Sequence, residues 1–201
     1  MLNVRISGSR ALFTNPLLSV ERYSHPVITP TAAAGVLESI YWKPEIQWEV
    51  QSIKIISDFW PQRISFVRNE IKSKIPKRGK RLDVSSDRTQ RMSSILLNVD
   101  YIVQFKCLVL KPKDATKHYE VAKRRISKGQ YFRPPYLGCS EYSATVTLPT
   151  GQEQVCDYLL NRDIELGAMV KRMVFQEGQK PQREIFHPII RNGVIECISS
   201  Y

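Results

Sequence analysis

The sequence predicts an α+β protein, with a ferredoxin-like (RNA-recognition-type) domain over residues 1–149 and a small antiparallel β domain over residues 150–201. Three observations carry that expectation. Through residue 148, segments of strand and helix periodicity follow one another as β-α-β-β-α-β, the order of a split βαβ unit. A strongly basic insert, about residues 60–94, separates the second strand from the third. Beyond Gly151 helical periodicity stops, and short apolar runs alternate with Gly and Asn turns.

Residues 2–7, LNVRIS, alternate apolar and polar as a half-buried strand does. The stretch from Gly8 to Pro26 is irregular, broken at Asn15-Pro16 and His25-Pro26. A helix follows: Thr29 or Thr31 caps it, Pro30 suits its first turn, and Ala33, Val36, Leu37 and Ile40 form its apolar stripe. It ends at Tyr41-Trp42-Lys43-Pro44, because proline disfavours helix at the residue before it. Residues 45–57 alternate again, with the phase slipping near Ser52. Residues 95–110 make a second long strand, rich in β-branched and aromatic side chains. A helix over 115–128 is stopped by Gly129 as a left-handed cap. After the PYLG turn, with Tyr136-Leu137 expected to be buried, 139–148 reads as a strand. Later strands are expected over 153–159, 164–176, 184–190 and 194–199, with Asn192-Gly193 marking a hairpin.

The chain of 201 residues is 42% hydrophobic, enough for one good core. Its net charge of +11, with a pI near 9.6, points to a polyanion: nucleic acid or an anionic membrane face. No apolar run is long enough to span a bilayer, and Met1 leads straight into a strand-like segment. The expectation is a cytoplasmic protein with no membrane partner. Cys107, Cys139, Cys156 and Cys197 show no CxxC spacing and read as small buried apolar groups. The three histidines are scattered, so no metal site and no cofactor are expected, and any hydrolytic chemistry falls to side chains.

The stretch from Lys111 to Tyr142 concentrates the candidate chemistry. Lys117 and His118 are adjacent, and on a regular helix neighbours point about 100° apart. At a helix start capped by Asp114 or Thr116, both would lie near free backbone N–H groups that attract phosphate. The residues leave two readings open: a phosphate grip, or a histidine that passes a proton near neutral pH. Tyr41 likewise is either a ring packed on a helix terminus or a hydroxyl that positions a nucleophile. Lys43, Lys123, Arg124, Arg125, Lys128 and Arg133 are candidate phosphate contacts. Tyr131, Phe132, Tyr136 and Tyr142 are candidates to stack unpaired bases or to join the core. His25 and His187, each before a proline, are expected to be structural. Residues 59–92 carry ten cations against three carboxylates. Within them Lys77, Arg78, Lys80 and Arg81 fall in a loop that is either simply solvated or the wall of a groove for a duplex backbone.

Several motifs, in one order, are similar to a known family. They are ALFTNPL (11–17), ESIYWKP (38–44), Lys117-His118-Tyr119, and Gly129-Gln130 through the YLGC turn at 136–139. Together they cover most of residues 1–145, and the chain resembles the catalytic, subtype I-C (Dvulg-type) member of the Cas-five family of CRISPR-associated proteins. The resemblance implies metal-independent cleavage of CRISPR repeat RNA at the base of its hairpin. It implies Tyr41, Lys117 and His118 as the catalytic set. The route is attack of the 2′-hydroxyl on the neighbouring phosphate, giving a 2′,3′-cyclic phosphate and a 5′-hydroxyl. It further implies that the chain stays on the crRNA 5′ tag beside the backbone and large subunits of the type I-C complex. Duplex DNA is a further candidate ligand. Gly129 and Gly138 are expected where backbone presses on RNA. A crRNA-tag-binding subunit that does not cut is the alternative, and the Tyr41, Lys117 and His118 set distinguishes the two. A basic ribosomal or DNA-binding protein would explain the charge without the motifs.

Overall fold

In the computed structural model the described residues are 1–15, 18, 21–71, 85, 88–110, 115–174 and 182–197. The chain runs β1 (Leu2–Ala11), β2 (Arg22–Tyr23), α1 (Pro30–Ile40), β3 (Ile46–Ile55), β4 (Arg63–Ile71), β5 (Arg88–Val109) and α2 (Ala115–Ser127). It continues through β6 (Thr145–Thr147), β7 (Asp163–Glu165), β8 (Met169–Val174), β9 (Gln182–Phe186), β10 (Ile189–Arg191) and β11 (Val194–Glu196). The fold is α+β, built on one large and mainly antiparallel sheet of order β6-β1-β5-β3-β11-β10-β7. No helix of the described residues is long and apolar enough to cross a membrane.

β5, 22 residues long, is the spine. Its second half lies between β1 (Val4 opposite Val103) and β3 (Trp48 opposite Cys107). Leu2, Val4 and Ile6 of β1 are buried in alternation, as are Tyr101, Val103, Phe105 and Cys107 of β5. In β3 the buried set is Ile46, Trp48 and Val50 and then, after a bulge between Val50 and Ser52, Ile53 and Ile55. The bulge inserts one residue and so moves the apolar set from even to odd positions, which is the phase slip visible in the sequence. Two helices that touch each other close this core. α1 contributes Ala33, Val36, Leu37 and Ile40, and α2 contributes Ala122 and Ile126. Each such side chain, fully buried, contributes about 1.5–3 kcal/mol if large and aliphatic. Thr29 is the N-cap of α1, accepting from the Ala32 amide at 3.2 Å, with Pro30 next to it.

The described residues of the basic insert are largely strand. β4 pairs with the first part of β5 from Arg63 opposite Leu96 to Ile71 opposite Arg88. Several of its cations are engaged within the protein: Arg63 donates to the Ser24 carbonyl at 2.9 Å, and Arg68 to Glu141 at 2.8 Å. Arg22 reaches Glu70 at 2.9 Å and Glu141 at 3.1 Å, tying the hairpin to the turn after Tyr136. β7, β10 and β11 continue the large sheet from the edge of β3. β8 and β9 pair apart from it, and the Thr31 hydroxyl lies 3.3 Å from the Val170 and Lys171 carbonyls. Asn192 and Gly193, both at positive φ, make the expected two-residue turn between β10 and β11.

Some expected elements differ. Residues 139–144 are a tight turn, and the strand there is only Thr145–Thr147. Leu137 donates its amide to Tyr142 O at 2.7 Å, which folds the turn back on itself before any strand can start. Leu137 is buried, but Tyr136 is exposed. Residues 157–159 form a 3-10 turn in place of a strand. Gly138, at φ +85°, is forced by the protein itself: a Cβ there would lie 1.9 Å from Leu12 O. Gly129, at φ +62°, has open space around it and is a helix stop.

Candidate active site

Tyr41 is the residue at which α1 unwinds. Its amide still bonds Leu37 O at 2.9 Å, while its φ and ψ of −147° and 111° turn the chain outward into Trp42-Lys43-Pro44. The indole of Trp48 donates to Tyr41 O at 2.9 Å, so both backbone groups of this residue are fixed. The exposed end of a helix leaves carbonyls without intrahelical partners. Here Arg125, reaching over from α2, donates to Ile40 O at 2.8 Å and sits 5.2 Å from the centre of the Tyr41 ring. A cation on a helix C-terminus is the favourable sign for the dipole.

α2 brings the remaining groups. His118, Ala122 and Ile126 are spaced four apart and form its buried face. Tyr119 fixes the height of the helix by accepting the Cys107 amide at 2.8 Å. His118 is only 4% exposed, and its Nδ1 lies 2.9 Å from the Tyr41 hydroxyl. Its other nitrogen, Nε2, is 3.9 Å from Glu45 Oε1, an ion-pair distance when the ring is protonated. Burial pushes the Tyr41 phenol up, opposed by Arg125 and reinforced by Glu45. The phenol therefore keeps its proton at neutral pH. A phenol that donates to Nδ1 leaves the proton of a neutral imidazole on Nε2, and a protonated ring carries one there as well.

These groups line a cleft of about 620 Å³: Tyr41, Lys43, Glu45, Lys117, His118, Val121 and Arg125. Lys117, Val121 and Arg125 share one stripe of α2, since residues four apart lie on one face. Lys117 and His118 diverge as neighbours on a helix must. The lysine is exposed and the histidine turned inward, yet both border the same cleft. The cleft thus holds three cations, one carboxylate and a hydrogen-bonded phenol–imidazole pair, a set suited to an anion that must be held while a proton moves.

Of the residues expected at a site, Tyr41, Lys43, Lys117, His118 and Arg125 come together. Arg124, Lys128 and Arg133 are exposed outside the cleft, and so is Lys123, which pairs with Glu120 at 3.2 Å. Tyr142 is buried in the core, whereas Tyr131 and Phe132 are exposed. Lys77, Arg78, Lys80, Arg81 and Asp114 lie outside the described residues. Sequence reading missed Glu45 and Val121. The four-residue spacing of 117, 121 and 125 was the available signal for Val121, and the place of Glu45 directly after the YWKP break was the signal for that carboxylate.

Comparison with known proteins agrees with the motif order. The family model described as CRISPR-associated protein (Cas_Cas5), of the Cas5d type, matches residues 1–198. A CRISPR pre-crRNA endoribonuclease Cas5d from Mannheimia succiniciproducens is 35% identical over 222 residues, spanning 100% of this chain and 96% of the relative. The protein of the same name from Thermus thermophilus is 39% identical over 215 residues, spanning 97% and 90%. A crystal structure of a CRISPR-associated protein, 28% identical, superposes with a TM-score of 0.68 over 97% of this chain and 90% of its own. Matches of this length and identity leave one assignment: the chain belongs to the Cas5d family of CRISPR-associated proteins.

Proposed function

We propose that this chain is a pre-crRNA endoribonuclease that cuts CRISPR repeat RNA in the cleft between α1 and α2. The observation that carries the reading is the 2.9 Å contact of the Tyr41 hydroxyl with His118 Nδ1, beside Lys117 and Arg125. In the proposed reaction the 2′-oxygen attacks the adjacent phosphorus and the bond to the 5′-oxygen breaks. His118, acting as the imidazolium, gives its Nε2 proton to that leaving oxygen and is left as a neutral ring whose Nδ1–H is held by the Tyr41 oxygen, while the 2′-hydroxyl proton leaves to solvent. The products are a 2′,3′-cyclic phosphate and a 5′-hydroxyl. Lys117 and Arg125 neutralise the charge that builds on the phosphorane. A phenol whose pKa is raised is a poor base, so Tyr41 is assigned to orienting the imidazole. Glu45 steadies the ring when it is protonated.

The test is cleavage of a repeat hairpin in EDTA, with and without a 2′-deoxy substitution at the scissile nucleotide. Cutting in EDTA that the deoxy substitution blocks is the expected result. The near-complete burial of His118 favours a second reading, a subunit that grips the crRNA tag without cutting. Tight binding with no cutting of either substrate would select it.

The strand order β6-β1-β5-β3, with α1 and α2 between the strands, supports a ferredoxin-like domain over residues 1–149. The strands after residue 150 would then form a small β domain docked on β3 through β11. Cytoplasmic work on the crRNA tag, beside the backbone and large subunits of a type I-C complex, goes with this function. Lys123, Arg124, Lys128, Arg133 and the quartet Lys77, Arg78, Lys80 and Arg81 are proposed phosphate contacts. Replacing Arg124 and Lys128 with alanine should flatten the log–log salt dependence of repeat binding by roughly 1–2. An unchanged slope would remove these two residues from the RNA surface.

A further inference from the structure

The loop that leaves α2 builds a second pocket, of about 250 Å³, between the ends of the two helices and β6. Tyr131, Pro134 and Pro135 line it together with Ile126, and Gln130 and Ser143 are its polar side chains. Its frame is fixed by backbone bonds. Gln130 N donates to Arg125 O at 2.9 Å, and Phe132 N and Arg133 N both donate to Ser39 O, at 2.9 and 3.1 Å. Ala144 N closes the far side on Pro135 O at 2.9 Å. A space this size is smaller than the ~300–1,000 Å³ of sites for larger ligands, and it suits a single flat ring. Tyr131 is 56% exposed, an aromatic face left open to a partner. Two exposed cations lie close by in sequence, Arg124 in the last turn of α2 and Lys128 just past its end.

We propose that the pocket receives one unstacked base of the repeat RNA, stacked on Tyr131 against the two prolines with its edge met by Gln130. His118 and Ile126 are eight residues apart on α2, about 12 Å, the reach of roughly two to four nucleotides of single strand. The base is therefore a close neighbour of the scissile phosphate, and the pocket contributes to choosing where the RNA is cut. This rests on the reading of the chain as a repeat-cutting enzyme. Exposed cations on the same segment, Arg124 and Lys128, favour a nucleic acid over an apolar peptide, and aromatic stacking with little edge reading is how single strands are held.

The experiment is equilibrium binding of repeat RNA made uncleavable by a 2′-deoxy scissile nucleotide, with single abasic sites walked across the positions flanking the cut. It is run on the wild type, on Tyr131→Ala and on Ala144→Leu, which fills the pocket from another side. One abasic position should weaken wild-type binding about tenfold and have almost no effect in either variant. Losses that simply add at every position overturn the pocket. Cleavage of unmodified repeat by the wild type is measured in parallel. Cutting without any coupled position removes the pocket alone, and absence of both cutting and specific binding removes the cleavage reading and the pocket with it.

Discussion

His118→Ala is expected to lower the cleavage rate at saturating RNA by about 10²–10⁴-fold, the usual weight of a positioned general acid, with repeat affinity nearly unchanged. The histidine is almost fully enclosed, so its contribution to holding RNA is small next to that of the cations around it. Tyr41→Phe removes only the hydroxyl that fixes Nδ1 and leaves the acid in place, so its loss should be smaller and fall on the rate, not on affinity. A 5′-thio leaving group separates a chemical role from a structural one. A thiolate needs no proton to depart, because thiols ionise near pH 8.5 where alcohols do not. Cleavage of the 5′-thio substrate should therefore be restored in His118→Ala. A variant equally slow on both substrates would make His118 a structural residue and shift the burden of catalysis elsewhere.

The parts of this molecule that were legible in the sequence are those with one buried and one solvated side. α1 shows its capping threonine, its proline and its apolar stripe, and β3 shows even its bulge, because each buried position leaves an apolar letter at a regular interval. β4 had no such signal. Its residues Arg63–Ile71 are exposed or half-exposed on both faces, so no apolar alternation develops and the charge of the segment dominates the reading. The turn at 137–143 was misread for a related cause: it is held by backbone bonds that carry no side-chain signature. In the site, the motifs located Tyr41, Lys117 and His118 but not their relation. A helix start facing phosphate was one way to bring Lys117 and His118 together. The structure does start α2 at Ala115, so both stand in its first turn, but it splits them there, with His118 on the inner stripe of α2 and Lys117 on the outer. Arg125 was counted as a phosphate contact, but its second role, closing the C-terminus of α1 from another helix, depends on tertiary packing that spacing cannot express.

Gly138→Ala is expected to destabilise the fold by about 2–5 kcal/mol, the sum of a left-handed alanine and an overpacked contact. The position sits at φ +85°, and its new Cβ would meet Leu12 O at 1.9 Å and Leu12 C at 2.7 Å. Neither neighbour can retreat at low cost. Leu12 and Leu137 are both buried, and they are joined by a 3.1 Å bond from Leu12 N to Leu137 O. Gly8 is pressed on the same turn, since a Cβ there would meet Leu137 Cδ1 and, at 2.9 Å, Ser143 O, so the turn packs tightly on the end of β1. In urea unfolding the midpoint should fall while the m-value stays constant, as it does when only the native state is strained. The sequence-based alternative, a glycine needed because RNA presses on it, predicts the opposite pattern: unchanged stability with weakened repeat binding. A variant as stable as the wild type would mean that β1 and the turn part easily. The loop that frames the Tyr131 pocket, which enters this turn through Pro135 and Tyr136, would then be a mobile element and not a fixed one.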